Sequence, residues 1–464
     1  MTIAKQIVGT LIACLLMMNM GLMYAWPSST IQQFGSNSTT LDRPMTDMEQ
    51  ALFGSLFTVT ALVSTPLSEF LLEVFGRKKS CLMFSLPQVV AWLIICFSSK
   101  VEVVFAAVCI SGMSTGLFTI IPLFISEISE ETVRGTLTAG ANIFWSVGVM
   151  VSYIFGCLDY QMMNYANLLA TTIGALLMLY VKESPVFLMG KGRDKEAAES
   201  IAFYRSKATD SKEVQHQMTV IRRALNPQLD GPSAEEEKLK GESETPQKLS
   251  QIEFLKKSKS SRLALFLVCA LTFCSVFQGV VAVQVYAQPM FEEALPGVSG
   301  NVTGILFTLV GTIAGLIAAY FLDLFGRRPL IIYPSIAAGV SCLLLGSQIQ
   351  FEWGPGWMTG VIIFFYSIAY TFGGGTVPYV VIAEVFLPEI RSILTMVTLE
   401  WAWVCNFLIL FVYPPLVAAL GLGGIFYVFA ASCILTAILC FFNLPETNAQ
   451  TVDVIQKLLL QKKY

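Results

Sequence analysis

Phe70-Leu71-Leu72-Glu73-Val74-Phe75-Gly76-Arg77-Lys78-Lys79 returns, 250 residues on, as Phe321-Leu322-Asp323-Leu324-Phe325-Gly326-Arg327-Arg328-Pro329. In both copies an apolar run carries an acid near its end, breaks at a glycine and continues into two or three cations. A recurrence of this kind marks a duplicated unit and is the first thing to settle. Glycine permits a tight turn and a close approach of the two flanking segments. The pattern is that of matching helix-to-helix turns in two halves of one membrane protein.

The rest of the composition agrees. The 464 residues are 55% hydrophobic and 13% charged, with mean hydropathy +0.67. A soluble domain carries about 25% charged residues. The apolar residues fall in blocks of about 20, the length that crosses a hydrocarbon core of roughly 30 Å. The 11 cysteines lie in apolar runs without paired spacing, so they suggest neither a disulfide framework nor a zinc site. The single histidine, His216, sits in a polar stretch and reads as solvated. No Ser/His/Asp set, metal-ligand cluster or phosphate-cradling loop appears, so an enzyme is not expected and no cofactor or metal is called for. The N-terminal apolar run lacks a small-residue cleavage pattern and reads as a first span.

Twelve transmembrane helices are expected, at 6–26, 47–75, 81–98, 101–125, 136–157, 162–182, 262–290, 300–325, 330–350, 357–386, 392–419 and 422–444. The fold class is therefore an all-α membrane protein of two pseudo-symmetric six-helix bundles, at 1–182 and 262–444. Between them, 183–261 is charged and is expected to form a cytoplasmic helical linker domain, disordered over 226–247. Residues 445–464 form a cytoplasmic tail. With both termini on one side, Arg43 and Lys100 alone of the 29 Lys and Arg fall on the far side, which makes the basic side cytoplasmic. Asn37-Ser38-Thr39 and Asn301-Val302-Thr303, glycosylation acceptors by pattern, then lie outside.

Two further elements repeat in order. Glu127 precedes Arg134 by seven residues as Glu384 precedes Arg391, and Glu183-Ser184-Pro185 answers Pro445-Glu446-Thr447. Seven residues are two helical turns, so each Glu/Arg pair would share a face if one helix ran through it. Arg77, Glu127, Arg134, Glu183, Arg327, Glu384, Arg391 and Glu446 are thus expected to form a cytoplasmic gate of ion pairs set across the two halves, which exists only while the cytoplasmic ends are together and so stabilises the outward-open state. Partly exposed pairs contribute about 1 kcal/mol or less each, enough in a network to bias two states reversibly. Rocking of two repeats around a midplane site is the mechanism this implies.

On these motifs the chain resembles the sugar porter family of the major facilitator superfamily over nearly its whole length, and looks most like its insect facilitated trehalose transporter-like group. The resemblance implies transport of a small polyhydroxy solute, a plasma-membrane location and a monomeric transport unit in the lipid bilayer, with no nucleic acid involved. It also exposes departures. The seventh-span amides of the family fall on Ser275, Val276 and Val281, with only Gly279 kept. The eighth-span asparagine falls on Gly311, the tenth-span acid on Thr371, and the eleventh-span Asn-Trp reads Ala402-Trp403. Asn406 is retained, and Asn142 stands where a glutamine is usual. Gln278 and Gln284 are candidate replacements, with Gln288 and Tyr286 nearby. Tyr379 and Trp403 align with family positions that face a sugar, whereas Trp26 and Trp145 serve either stacking or packing.

Glu400 lies nine residues past Arg391, about 13 Å in from the cytoplasmic face on a helix. An acid at that depth is a functional candidate, here for proton coupling, for a polar or cationic solute, or for pairing inside the bundle. The first span has no acid, which favours uniport. Three readings stand: a facilitative carrier of a sugar such as trehalose or a hexose, a non-transporting nutrient sensor on the same fold, and a carrier of a different small polar solute, proton-coupled or not.

Overall fold

Gly76 and Gly326 have φ of 89° and 84°, and at each the chain leaves one long helix and immediately starts another. They are the same turn made twice. The computed structural model in which they are seen describes residues 4–225, 258–387, 390–448, 450 and 452–461. All regular structure among these residues is helical.

The first half holds α1 (Ala4–Gly35), α2 (Asp47–Phe75), α3 (Arg77–Phe97), α4 (Val101–Gly112), α5 (Leu117–Ile128), α6 (Glu131–Phe155) and α7 (Tyr160–Leu177). α4 and α5 are one crossing joined by a 3-10 turn at Met113–Gly116. Three short helices follow, α8 (Pro185–Gly190), α9 (Asp194–Arg205) and α10 (Lys212–Leu225), closed around Leu188, Ile201, Val214 and Met218. The second half holds α11 (Lys259–Val276), α12 (Val280–Val285), α13 (Ala287–Ala294), α14 (Gly300–Phe325), α15 (Arg327–Phe351), α16 (Gly356–Phe372), α17 (Val377–Val385) and α18 (Arg391–Asn443), before α19 (Val452–Gln461). The expected disorder at 226–247 falls outside the described residues.

Ten of the described helical stretches are long and apolar enough to cross a membrane. α7 is an eleventh crossing, and α18 supplies a twelfth because its 53 residues are interrupted at Gly421, where φ is 73° and ψ is 166°. The seventh crossing is discontinuous, breaking at Gly279 between α11 and α12. The tenth breaks at Gly373-Gly374-Gly375 between α16 and α17. α2 begins with a capping box: the Thr46 hydroxyl accepts from Glu49 N while Glu49 accepts from Thr46 N at 2.9 Å.

Helix contacts rely on small residues, as membrane bundles do. A Cβ on Gly148 of α6 would run into the Met18 carbonyl of α1, and one on Gly21 of α1 would run into the Trp145 carbonyl. Gly346 and Gly423 repeat the device in the second half, each hypothetical Cβ lying 2.8–2.9 Å from the other's carbonyl oxygen. The halves meet along α2 against α18 and α6 against α14.

Gly148→Val should lower the stability of the purified protein by about 1–3 kcal/mol through overpacking at the α1–α6 contact. Gly135→Ala, with nothing within 4 Å of the new methyl, serves as the control. Thermal unfolding in detergent checks this, and equal melting temperatures for the two variants would sink it.

Candidate functional site

The start of α3 shows what the charged turn does. The first N–H groups of a helix have no partner inside it, and the helix dipole makes that end attractive to an anion. Here the Glu183 carboxylate accepts from Arg77 N at 2.9 Å, Lys78 N at 3.0 Å and Ser184 N at 2.8 Å. A Cβ at Gly76 would lie 2.7 Å from Glu183 Oε2 and 2.6 Å from the Phe187 ring, so glycine is required for the approach as well as for the φ. The Arg77 side chain turns away to form a two-pronged pair with Glu127, Nε–Oε2 2.8 Å and Nη2–Oε1 2.6 Å. The Ser184 hydroxyl donates to the same carboxylate at 2.5 Å, and Lys78 Nζ reaches the Leu179 carbonyl at the end of the sixth crossing.

The second half repeats this part for part. Glu446 accepts from Arg327 N at 2.9 Å, Arg328 N at 3.1 Å and Thr447 N at 3.0 Å. Arg327 pairs with Glu384 at 2.7 Å, the Thr447 hydroxyl donates to Glu384 at 2.6 Å, and Arg328 reaches the Phe441 carbonyl. Ser184 and Thr447 were not singled out from the sequence. Their signal was there: a hydroxyl directly follows the glutamate in both copies.

Two expectations fail. Arg134 and Arg391 do not join their glutamates. α5 ends at Ile128 and α6 starts at Glu131, with Ser129 extended between them, so Glu127 and Arg134 lie on different helices. α17 and α18 separate Glu384 from Arg391 in the same way. Both arginines are exposed. Nor do the pairs span the halves: between described residues, every hydrogen bond and ion pair at this end stays within one half.

The seam between the halves, where a passage for a solute would run, carries a row of packed rings. Tyr24 packs on Trp145 with centroids 5.0 Å apart, Trp145 on Phe118 at 4.8 Å, and Phe118 on Trp403 of the second half at 5.8 Å. Tyr379, on α17, is 57% exposed. Asn142 is exposed, and Gln284, Trp403 and Asn406 are half-buried. Gln284 gives only its carbonyl to the other half, accepting from the Tyr153 hydroxyl at 2.5 Å. The Asn406 amide donates back to Ala402 O on its own helix at 2.8 Å. Glu400 is half-buried beside Thr65 across the seam, with one carboxylate oxygen enclosed and unpartnered.

Gln278 does not face the passage. It is fully buried, and its amide nitrogen donates to Thr436 at 2.9 Å and to Ser335 at 3.4 Å. The break at Gly279 turns that part of the seventh crossing into the second half's own core. Trp26 is likewise buried, packed on Phe34, Phe53 and Trp92. Asn37 is exposed as expected. Asn301 is not: it is 5% exposed and hydrogen-bonded at both ends of its amide to the first half. Its acceptor pattern ignored that it starts a helix packed on the seam.

Arg77→Ala should destabilise the protein by about 3 kcal/mol, because it leaves the Glu127 carboxylate, 9% exposed, without its cation. Arg134→Ala should stay within about 0.5 kcal/mol, as a surface change does. Thermal unfolding in detergent separates the two, and a loss as large for Arg134→Ala would contradict the assignment.

Residues 7–459 match the sugar (and other) transporter family. The chain is 23% identical over 462 residues to the facilitated trehalose transporter Tret1 of Culex quinquefasciatus, covering 98% of this chain and 85% of that one. It is also 23% identical to Tret1 of Aedes aegypti, of whose length it spans 55%. In fold it is similar to the inward open conformation of the xylose transporter XylE from E. coli, with TM-score 0.77, 17% identity and coverage of 97% and 98%. Twelve crossings in two halves, a charged turn made once in each, and a family match over almost every residue lead to one conclusion: this multi-pass membrane protein is a transporter, not an enzyme, and belongs to the sugar (and other) transporter family.

Proposed function

We propose that the chain carries a sugar, trehalose or a hexose, down its gradient by alternating access. The observation that carries this reading is that each half is tied internally by its own charged turn, while the hydrogen bonds that join the halves cluster at the opposite end. Two rigid bodies joined in this way are what a rocking carrier needs, whereas a fixed receptor has no use for them. The proposed contacts are Asn142, Gln284, Tyr379, Trp403 and Asn406; Gln278 is not among them because it is fully buried and its amide nitrogen donates inside the second half. Arg77, Glu127 and Glu183 fasten the gate-side end of the first half within itself, as Arg327, Glu384 and Glu446 do in the second, with Arg134 and Arg391 placed to meet partners when those ends close.

The asymmetry of Lys and Arg supports a cytoplasmic location for both termini, 183–261 and the 445–464 tail. A plasma-membrane location and a monomeric transport unit complete the proposal. The relatives named as trehalose transporters support trehalose as the first sugar to try. The unpartnered oxygen of Glu400 favours one rival, a proton-coupled carrier of a different polar solute.

Flux in proteoliposomes tests both. Radiolabelled trehalose or glucose should equilibrate, saturably and independently of a pH gradient, and binding without time-dependent accumulation would instead indicate a sensor. Trp403→Ala should reduce uptake roughly 10-fold, since a ring contact is worth about 1–1.5 kcal/mol beyond its area. If wild-type uptake responds to a pH gradient and Glu400→Gln abolishes that response, the coupled rival replaces uniport.

A further inference from the structure

At the end of the bundle opposite the charged turns, four hydrogen bonds join the halves. Asn301, the second residue of α14, donates from Nδ2 to the Gly156 carbonyl at 2.9 Å and accepts at Oδ1 from the Ser29 hydroxyl at 3.0 Å. The neighbouring Ser28 hydroxyl accepts from Gln288 N at 2.9 Å, and the Tyr153 hydroxyl donates to Gln284 O at 2.5 Å. The fit around Asn301 is tight. A Cβ on Gly156 would run into Ser29 Oγ and stand 3.1 Å from Asn301 Oδ1, and a Cβ on Gly304, one turn along α14, would stand 3.1 Å from the Tyr153 ring. Ser28 is fully buried. Adjacent serines of the first crossing thus engage two separate elements of the second half.

We propose that Asn301 is an unmodified latch for this end of the seam, and that its Asn-Val-Thr pattern is silent as a glycan acceptor. The proposal rests on the reading that the halves rock. An N-linked glycan bonds to Nδ2 in place of one of its hydrogens. The Nδ2 of Asn301 points into the other half and donates to Gly156, so a saccharide there would occupy the space of α1 and α6. A glycan on Asn301 and a closed seam exclude each other, and a modified chain would stay open at this end. Asn37 has no such conflict, because it is exposed on the segment between α1 and α2. The amide is also the right strength for a latch. Neutral hydrogen bonds are individually modest, so a few of them hold a state that the cycle can still leave.

The test uses the full chain expressed in eukaryotic cells and has two readouts. In the first, glycosidase-sensitive mass is compared among wild type, Asn37→Gln and Thr303→Val. Thr303→Val removes the acceptor pattern but leaves Asn301 in place. It should carry the same mass as wild type, and a loss of glycan from Thr303→Val overturns the proposal. In the second, a cysteine placed at the half-buried Val281, in a Cys157→Ser background, is labelled from outside with a membrane-impermeant maleimide. Ser29→Ala should raise the labelling rate about 5-fold and Asn301→Ala about 10-fold or more, the effect of removing one or two such bonds from the closed state. Unchanged labelling in both overturns the latch. Ser29→Ala keeps the acceptor pattern and is the milder change, so a folding defect in Asn301→Ala leaves the question answerable. Labelling needs no substrate: a chain that labels as expected but moves neither trehalose nor glucose keeps the latch and loses only the sugar reading.

Discussion

A helix that begins at a membrane surface exposes N–H groups that nothing in the helix can satisfy. The structure meets that constraint twice in the same way, by driving a carboxylate from the far end of the same half into the helix start. Glu183 follows the sixth crossing and caps the third; Glu446 follows the twelfth and caps the ninth. The carboxylate comes so close that no side chain fits on the preceding residue, and Gly76 and Gly326 follow from that. Arg77 and Arg327, placed by the turn, then draw Glu127 and Glu384 from the ends of the fourth and tenth crossings. One capping interaction thereby fastens three crossings of each half at a single corner.

That corner decides how the molecule can move. The charged bonds are confined within the halves and largely sheltered, so they do not break when the halves part. Among the described residues, what joins the halves is of a weaker kind: helix packing of α2 on α18 and α6 on α14, ring contacts at mid-depth, the contact of Glu400 with Thr65, and four neutral hydrogen bonds at the far end. Strong interactions make the bodies rigid and weak ones hold the seam. A reversal of this arrangement, with ion pairs across the seam, would raise the barrier to every cycle. The residues expected in a cross-half gate are found here paired within each half, and a pairing across the halves belongs to a state with those ends together.

The duplicated turn was legible because it depends on residue types that local chemistry demands, a glycine, cations and a distant glutamate, at nearly constant offsets. Span positions were legible from apolar length, including the division at Gly421 that the backbone leaves almost hidden in one 53-residue helix. The Glu127–Arg134 pairing was misread because spacing says nothing about whether a helix continues, and the extended Ser129 ends it. Gln278 was misread because the break at Gly279 rotates the preceding turn away from the passage. Asn301 was misread because an acceptor pattern is three letters long, whereas burial depends on Ser29 and Gly156, both from the other half. The Asn301 error concerns contacts between segments far apart in the chain, and the other two come from local breaks in a helix; periodicity registers neither.

The passage itself has an unusual balance for binding a polyol. Of the candidate amides, the replacement Gln278 is buried and donates into the core, and the retained Asn406 spends its donor on its own helix. On the proposed function, the surfaces left to a solute are the rings of Tyr379 and Trp403, the side chains of Asn142 and Gln284, and the Glu400 carboxylate. Ring faces recognise the C–H side of a pyranose without demanding a particular pattern of hydroxyls. Discrimination by hydroxyl position needs buried polar partners that go unpaired when the wrong solute enters, and here they are few. A carrier built this way binds loosely and selects by size and shape. Loose binding suits a facilitator, since an interaction equally strong in both states shifts nothing and only slows release.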